Sequence, residues 1–168
     1  MKVLKSIVII SSSFCVLLSC NKNRDNVYYY IPESVNKPFA IIYDNKLGVN
    51  TNRNKKGQLV YVIPQNRILY VKNNEEPNVS ISHIYYINKN GDTIKRIRNY
   101  YYDIYKQIPI KKGEIYELNS YYKTFNNIEK GLLQMQIIIL SDNLTEKGKE
   151  DAIKSAVNLE NFIYKHYR

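Results

Sequence analysis

The sequence predicts a mainly β protein, an antiparallel β-sandwich or curled sheet with one C-terminal α-helix packed on it. Short runs of β-branched and aromatic residues recur from Val27 to Leu140, separated by segments that contain Pro, Asn or Gly. After Leu140 the apolar pattern changes from alternation to the three- and four-residue steps of a helix. Strands followed by one helix indicate a sheet that buries a face beneath that helix.

The first predicted strands are four short apolar runs. They are Val27–Ile31, Phe39–Tyr43, Leu59–Ile63 and Ile68–Val71. Pro32 ends the first run because proline cannot donate a hydrogen bond to a sheet. Asp44–Gly57 is rich in Asn, Asp, Lys and Gly, which predicts a loop. Only four residues, beginning at Pro64, separate the last two runs, so we expect those two to pair as a hairpin.

The segment Ser80–Ile97 predicts a second hairpin. Residues 80–87 alternate, with Ile81, His83, Tyr85 and Ile87 on one face and Ser82, Ile84 and Tyr86 on the other. Asn90-Gly91 supplies a turn with positive φ, and Thr93–Ile97 forms the return strand.

Less regular segments at Tyr100–Tyr105 and Glu114–Leu118 precede the most apolar run after the signal segment, Leu132–Leu140. So many consecutive isoleucines indicate a central strand that is covered on both faces.

The C-terminal segment predicts a helix over 145–167, capped by Thr145 or Asp142. Its expected packing stripe is Ile153, Ala156, Val157, Glu160, Ile163 and Tyr167.

The first twenty residues resemble a bacterial lipobox signal. Lys2 and Lys5 precede an apolar core, which ends at Leu17-Leu18-Ser19-Cys20. The resemblance implies cleavage before Cys20 and a diacylglycerol with palmitate-like chains on its sulfur. We therefore predict a signal peptide at 1–19, a lipidated cysteine with a tether at 20–26, and a single β-rich domain at 27–168.

The apolar core of this signal is shorter than the ~20 residues of a membrane-spanning helix, so cleavage is the better interpretation. An ordinary signal peptide, with Cys20 as a bystander, is the alternative. The expected location is the cell envelope, with the protein lipid-anchored to a membrane outside the cytoplasm. The outer membrane is favoured because Asn21 is not the Asp that by resemblance suggests inner-membrane retention.

Charge and cysteine content narrow the possible functions. The net charge of +10 is spread as single Lys and Arg residues, which does not favour a nucleic-acid partner. Cys15 lies in the signal and Cys20 is assigned to the lipid, so we expect no disulfide.

We expect neither a cofactor nor a metal site, and no catalytic residue. The two imidazoles, His83 and His166, have no partner at ligand spacing, and Ser82 would point away from His83 in a strand. We expect a non-catalytic binding or structural module; the alternative is an envelope enzyme whose site leaves no sequence motif.

Tyrosine is the unusual feature of the composition, at 17 residues. Runs occur at Tyr28–Tyr30, Tyr85-Tyr86, Tyr100–Tyr102 and Tyr121-Tyr122. Consecutive strand residues face both ways, so some of these rings must meet solvent or a partner. A protein or glycan partner on a Tyr-rich surface is therefore possible in addition to the membrane.

An ordered set of short motifs resembles the small bacterial exported domain DUF6843. The motifs are Tyr30-Ile31-Pro32-Glu33, Pro38–Tyr43, Val60–Pro64, Ile68-Leu69 and Ile84–Asp92. Many members of that family are lipoproteins, and the resemblance implies no catalytic residue. Ser34 stands where the family usually has Gly, and Asn66-Arg67 replaces an Asn-Gly turn.

Overall fold

The computed structural model describes residues 26–43, 45–72, 81–127 and 131–166. The strands are β1 (Asn26–Pro32), β2 (Phe39–Tyr43), β3 (Asn52–Arg53), β4 (Leu59–Val62), β5 (Ile68–Tyr70), β6 (Ile81–Ile87), β7 (Thr93–Asn99), β8 (Tyr116–Asn127) and β9 (Gly131–Ser141). The helices are α1 (Tyr100–Tyr105) and α2 (Glu146–His166). The predicted class, a mainly β chain with a curled sheet and a C-terminal helix, is confirmed.

All nine strands form one curled sheet in the order β3-β4-β1-β6-β7-β8-β9-β2-β5. The sheet is mixed, which corrects the antiparallel prediction. β1 is parallel to both β4 and β6, β2 to β5, and β7 to β8. Parallel partners need long crossovers, and here the crossovers of the first three pairs contain other strands of the same sheet, whereas that between β7 and β8 contains α1. Local apolar patterns specify strands but not their partners.

The predicted pairing of the runs at Leu59–Ile63 and Ile68–Val71 is wrong. β4 pairs with β1 and β5 pairs with β2, at opposite ends of the strand order. Arg67 has a φ of 68°, and its amide donates to the Pro64 carbonyl at 2.9 Å, so the connection is a tight turn between two sheet edges. Because the sheet curls, these two edges approach each other and the turn can span them.

A second connection joins the same two edges, and we call residues 45–53 the strap. The Asn45 amide donates to the Val71 carbonyl and the Val49 amide to the Tyr70 carbonyl, at 2.8 and 2.9 Å. Further along, Asn52 pairs with Val60 of β4 as part of the two-residue strand β3. Most of the predicted loop is therefore irregular, but it closes the curled sheet.

The sheet separates two cores. The concave face encloses a cluster from β1, β2, β4, β6 and β9, with the largest fully buried side chains Tyr29, Tyr43, Tyr61 and Phe39 among its members. The convex face of β9 presents Leu133, Met135, Ile137 and Ile139 to α2. The predicted central strand at Leu132–Leu140 is thus confirmed, since β9 lies between β8 and β2 and is covered on both faces.

The packing stripe of α2 differs from the prediction. Its buried residues are Gly148, Ala152, Ala156, Leu159 and Ile163, whereas Ile153 and Val157 are 51% and 45% exposed. Small side chains at 148, 152 and 156 let the helix approach β9 closely, and this rotates the packed face away from the larger residues. Thr145 is the cap, because its hydroxyl oxygen accepts from the Gly148 amide at 3.1 Å.

The hairpin of β6 and β7 is confirmed, with Gly91 at a φ of 87° in the turn. After it the chain forms α1, which was not predicted; the Asn99 side chain caps it by accepting from the Tyr102 amide at 2.9 Å. β8 also extends far beyond the predicted Glu114–Leu118.

In the described part of the chain, no helix is long and apolar enough to cross a membrane.

Candidate functional site

Cys20, the predicted lipidation site, lies outside the described residues. His83 lies in the middle of β6, and His166 at the end of α2, where its Nδ1 is 2.8 Å from the Phe162 carbonyl oxygen. The fold does not bring the two imidazoles together in one site. In the ranges that the structure describes, no group of three or more His, Cys, Asp or Glu residues could hold a metal ion.

The tyrosine runs divide between the two faces of the sheet, as the strand period predicts. Tyr29 and Tyr86 point into the concave core and are buried, whereas Tyr28, Tyr30 and Tyr85 lie half-buried on the convex face. The structure therefore concentrates the outward tyrosines of two neighbouring strands in one place.

These outward rings form a continuous stack, which we call the aromatic row. Its order is His83, Tyr28, Tyr85, Tyr30, alternating between β6 and β1. Neighbouring ring centroids are 4.9, 6.3 and 5.9 Å apart, and the interplanar angles are 24°, 8° and 30°. The parallel register causes this, because it sets Tyr28 opposite His83 and Tyr30 opposite Tyr85.

Arg96 and Asn26 fix the histidine end of the row. Arg96 Nη2 donates to His83 Nδ1 at 3.2 Å, and His83 Nε2 lies 2.9 Å from Asn26 Oδ1. Since a guanidinium can only donate, the imidazole is neutral and carries its proton on Nε2. Partial burial and then the Arg96 charge lower the pKa of His83. The ring is a fixed, uncharged member of the stack.

The stacking decides which parts of the rings a partner can touch. Neighbouring rings of the row lie at 30° or less to one another and the three tyrosines are half-buried, so each ring is shielded in part and the outward surface is rich in ring edges and tyrosine hydroxyls, with the exposed Arg96 at one end. Such a surface offers hydrogen-bonding and edge contacts rather than open ring faces.

The concave core contains a buried hydrogen-bonded group from β1, β2 and β9. The Tyr29 and Tyr43 hydroxyls both donate to Gln136 Oε1, at 3.1 and 2.9 Å. Burial, followed by the nearby Tyr122, raises the pKa of Tyr29. Tightly packed apolar residues surround the two hydroxyls and the Gln136 side chain. The two hydrogen bonds therefore satisfy an amide oxygen that is buried away from water.

Glu117, at the start of β8, is 6% exposed and is one of two buried acidic residues, with Asp103, in the described part of the chain. Burial raises its pKa, and a hydrogen bond from the Asn99 side chain partly offsets that effect. The same Asn99 caps α1, so the carboxyl is tied to the end of β7 and to the start of the helix.

Two surface depressions lie away from the aromatic row. An apolar cleft of about 440 Å³ lies between β4 and β5, below the strap; Val49, Val60, Val62, Ile68 and Tyr70 contribute to it. A more polar depression of about 780 Å³ lies where β1 and the β6–β7 turn end, beside Glu33 and Gln65. The described lining of the apolar cleft contains no carboxylate or imidazole.

Sequence reasoning named the tyrosines and His83 but missed Arg96 and Asn26. Arg96 could have been found, because the predicted hairpin register places it opposite Tyr85 on the convex face. Asn26 was assigned to the tether, yet it is the first residue of β1. The pairing of β1 with β6 left no local signal in the sequence.

No family model matches the chain, and no curated protein matches it. No family-model match therefore supports the resemblance to DUF6843. Among solved structures, the chain is similar to a 2.75 Å crystal structure described as a "Putative Lipoprotein from Bacillus anthracis", at 13% sequence identity. The match covers 67% of this chain and 67% of that chain with a TM-score of 0.46.

Proposed function

We propose that this chain is a DUF6843-like lipoprotein of the bacterial cell envelope, anchored by acyl chains on Cys20, preferentially to the outer membrane. Its β domain acts as a non-catalytic binding module. The signal-like segment that ends at Cys20 supports the anchor. The aromatic row is the observation that carries the binding function.

The partner proposed for the aromatic row is a protein. A glycan platform would need open ring faces on which sugar rings can stack, but the rings of this row are half-buried and lie beside one another at 30° or less. Tyrosine edges and hydroxyls beside an arginine are the composition found at the energetic centres of protein interfaces. A fixed stack also loses little side-chain entropy on binding.

Site-specific photo-cross-linking in the native host tests this function. A photoreactive phenylalanine analogue at Tyr30 should yield a discrete protein adduct, whereas the same analogue at the exposed Lys147 on α2 should not. Tyr28→Ala with Tyr85→Ala should abolish the Tyr30 adduct, because the stack is then broken. An adduct sensitive to glycosidase would replace the protein by a glycan. Identical adducts from both positions, or none from Tyr30, would contradict the proposal.

A further inference from the structure

Residues 100–112, which we call the basic aromatic segment, expose a dense group of apolar side chains. Six are exposed: Tyr101, Tyr102, Ile104, Tyr105, Ile108 and Ile110, by 57, 56, 49, 77, 36 and 37%. Such contiguous exposure of large apolar residues marks an interaction surface rather than a solubilising one.

The segment is held from beneath by Arg98. Arg98 Nε lies 2.9 Å from Asp103 Oδ2, and Arg98 Nη2 donates to the Pro109 carbonyl at 2.9 Å and to the Tyr116 hydroxyl at 2.7 Å. That hydroxyl also accepts from the Lys111 amide at 2.9 Å. The exposed side chains are therefore displayed on a fastened backbone.

The directions of the tyrosine side chains and the positive charges of the basic aromatic segment both favour contact with a negatively charged surface. Asp103 is buried and paired with Arg98, so Tyr101 and Tyr105, two residues to either side in α1, project away from the sheet. The segment also carries the exposed cations Lys106, Lys111 and Lys112, and Lys106 Nζ lies 5.1 Å from the centroid of Tyr105. Outward tyrosine, isoleucine and lysine together match the interface of an anionic bilayer.

The segment also lies beside the point where the tether enters the fold. Asn26 pairs with Ile81 in β6. β7 runs antiparallel to β6, with Ile84 paired with Ile97, so the end of β7 and the start of α1 lie towards the same end of the sheet as Ile81. Only β6 separates β1 from β7 in the sheet, so the start of β1 and the start of α1 lie at one end of neighbouring strands. The chain from Cys20 to Asn26 can span about 20 Å at most.

We propose that the basic aromatic segment rests on the surface of the anionic membrane that holds the acyl chains of Cys20. The inference depends on the proposed acyl anchor and adds a second contact to it. Tyr101, Tyr105 and Ile104 enter the headgroup region, and the lysines bind lipid phosphates. The second contact fixes how the domain stands on the membrane and leaves the aromatic row to a separate partner.

A tryptophan probe tests the contact, since the chain contains no tryptophan. The full-length acylated protein with Tyr105→Trp is reconstituted in phosphatidylcholine–phosphatidylglycerol vesicles whose acyl chains are brominated near the headgroup. Its emission should shift to the blue and lose most of its intensity. Lys89→Trp, in the β6–β7 turn at the opposite end of β6, is the control and should stay bright. Changing Lys106, Lys111 and Lys112 to Glu should restore much of the Tyr105→Trp emission.

The outcomes separate the two claims. Protein that does not float with the vesicles overturns the acyl anchor and, with it, this inference. Protein that floats while Tyr105→Trp stays unquenched overturns the membrane contact alone and assigns the segment to a protein partner. Equal quenching of Tyr105→Trp and Lys89→Trp also overturns the contact, because the domain would then have no fixed orientation.

Discussion

At the scale of single residues, partly buried polar side chains link elements that the sequence pattern treats separately. Arg98 joins β7 to α1 and to Tyr116, and Asn99 joins the start of α1 to Glu117 of β8. Groups of this kind stabilise a fold only while all their partners remain, because removing one leaves another unsatisfied.

Glu117→Gln should increase stability at neutral pH. Burial raises the pKa of Glu117, so the folded chain binds the proton more tightly than the unfolded chain does. The free energy of unfolding therefore falls as the pH rises past the usual carboxyl pKa. Glutamine keeps an oxygen acceptor for Asn99 but carries no charge. Thermal unfolding should show a higher Tm for the variant at about pH 7 and no advantage at about pH 4.

Glu114→Gln is the control for that measurement. The Lys95 ammonium holds the pKa of Glu114 below its usual value, so the ionised form stabilises the folded state. This variant should be less stable than the natural chain at neutral pH and equal to it in acid. The same pH dependence in both variants would contradict the assignment of Glu117 as a buried, destabilised carboxylate.

Cys20→Ser should abolish acylation. Cys20 is the proposed lipid attachment site, and the other cysteine, Cys15, lies within the predicted signal. Metabolic labelling with an alkyne fatty acid should label the natural protein, while the variant should carry no label and leave the membrane fraction or remain uncleaved. Undiminished label on the variant would refute the anchor.

At the scale of elements, the sequence predicted those strands whose patterns are local. β1, β2, β4, β5, β6, β7 and β9 were recognised because alternation or a continuous apolar run lies within each of them, although the partners of β4 and β5 were not. α1 was missed because Tyr and Ile favour strands, and only the Asn99 cap and the buried Asp103 make this segment helical. The candidate site was half predicted: its tyrosines are visible in the sequence, whereas their stacking depends on a long-range parallel pair.

The face of α2 gives a direct test at this scale. Ile163 is 1% exposed against β9, whereas Ile153 is 51% exposed. Ile163→Ala should cost about 2–5 kcal/mol of unfolding free energy through lost burial and a cavity. Ile153→Ala should change it by less than ~0.5 kcal/mol, because alanine suits an exposed helix position. Chemical denaturation compares the two; equal losses would mean that the helix is packed as the sequence pattern first indicated.

At the scale of the whole molecule, the order of the strands requires the sheet to curl. Between β1 and β6 the chain forms strands at both ends of the strand order, with β3 and β4 at one end and β2 and β5 at the other. The strap and the β4–β5 turn connect these two edges. The strap pairs with β5 through Val49 and with β4 through Asn52, so it takes the place of the strand that would close the barrel. Closure by a loop covers both edges, which limits their pairing with other chains.

Gly48→Ala should open this closure. A Cβ at Gly48 would lie 2.7 Å from backbone atoms of Tyr70 and Val71, so the strap would have to move away from β5. The Val49 amide donates a hydrogen bond to the Tyr70 carbonyl, and the Lys72 amide donates one to the Val49 carbonyl. Both amides should then exchange with deuterium much faster. Gly57→Ala is the control, since its φ of 75° makes it strained while its Cβ meets nothing within 4 Å. Both variants should lose about 1 kcal/mol or more of stability. Only Gly48→Ala should release the strap amides, and unchanged exchange at Val49 in that variant would show that the two edges are held together without it.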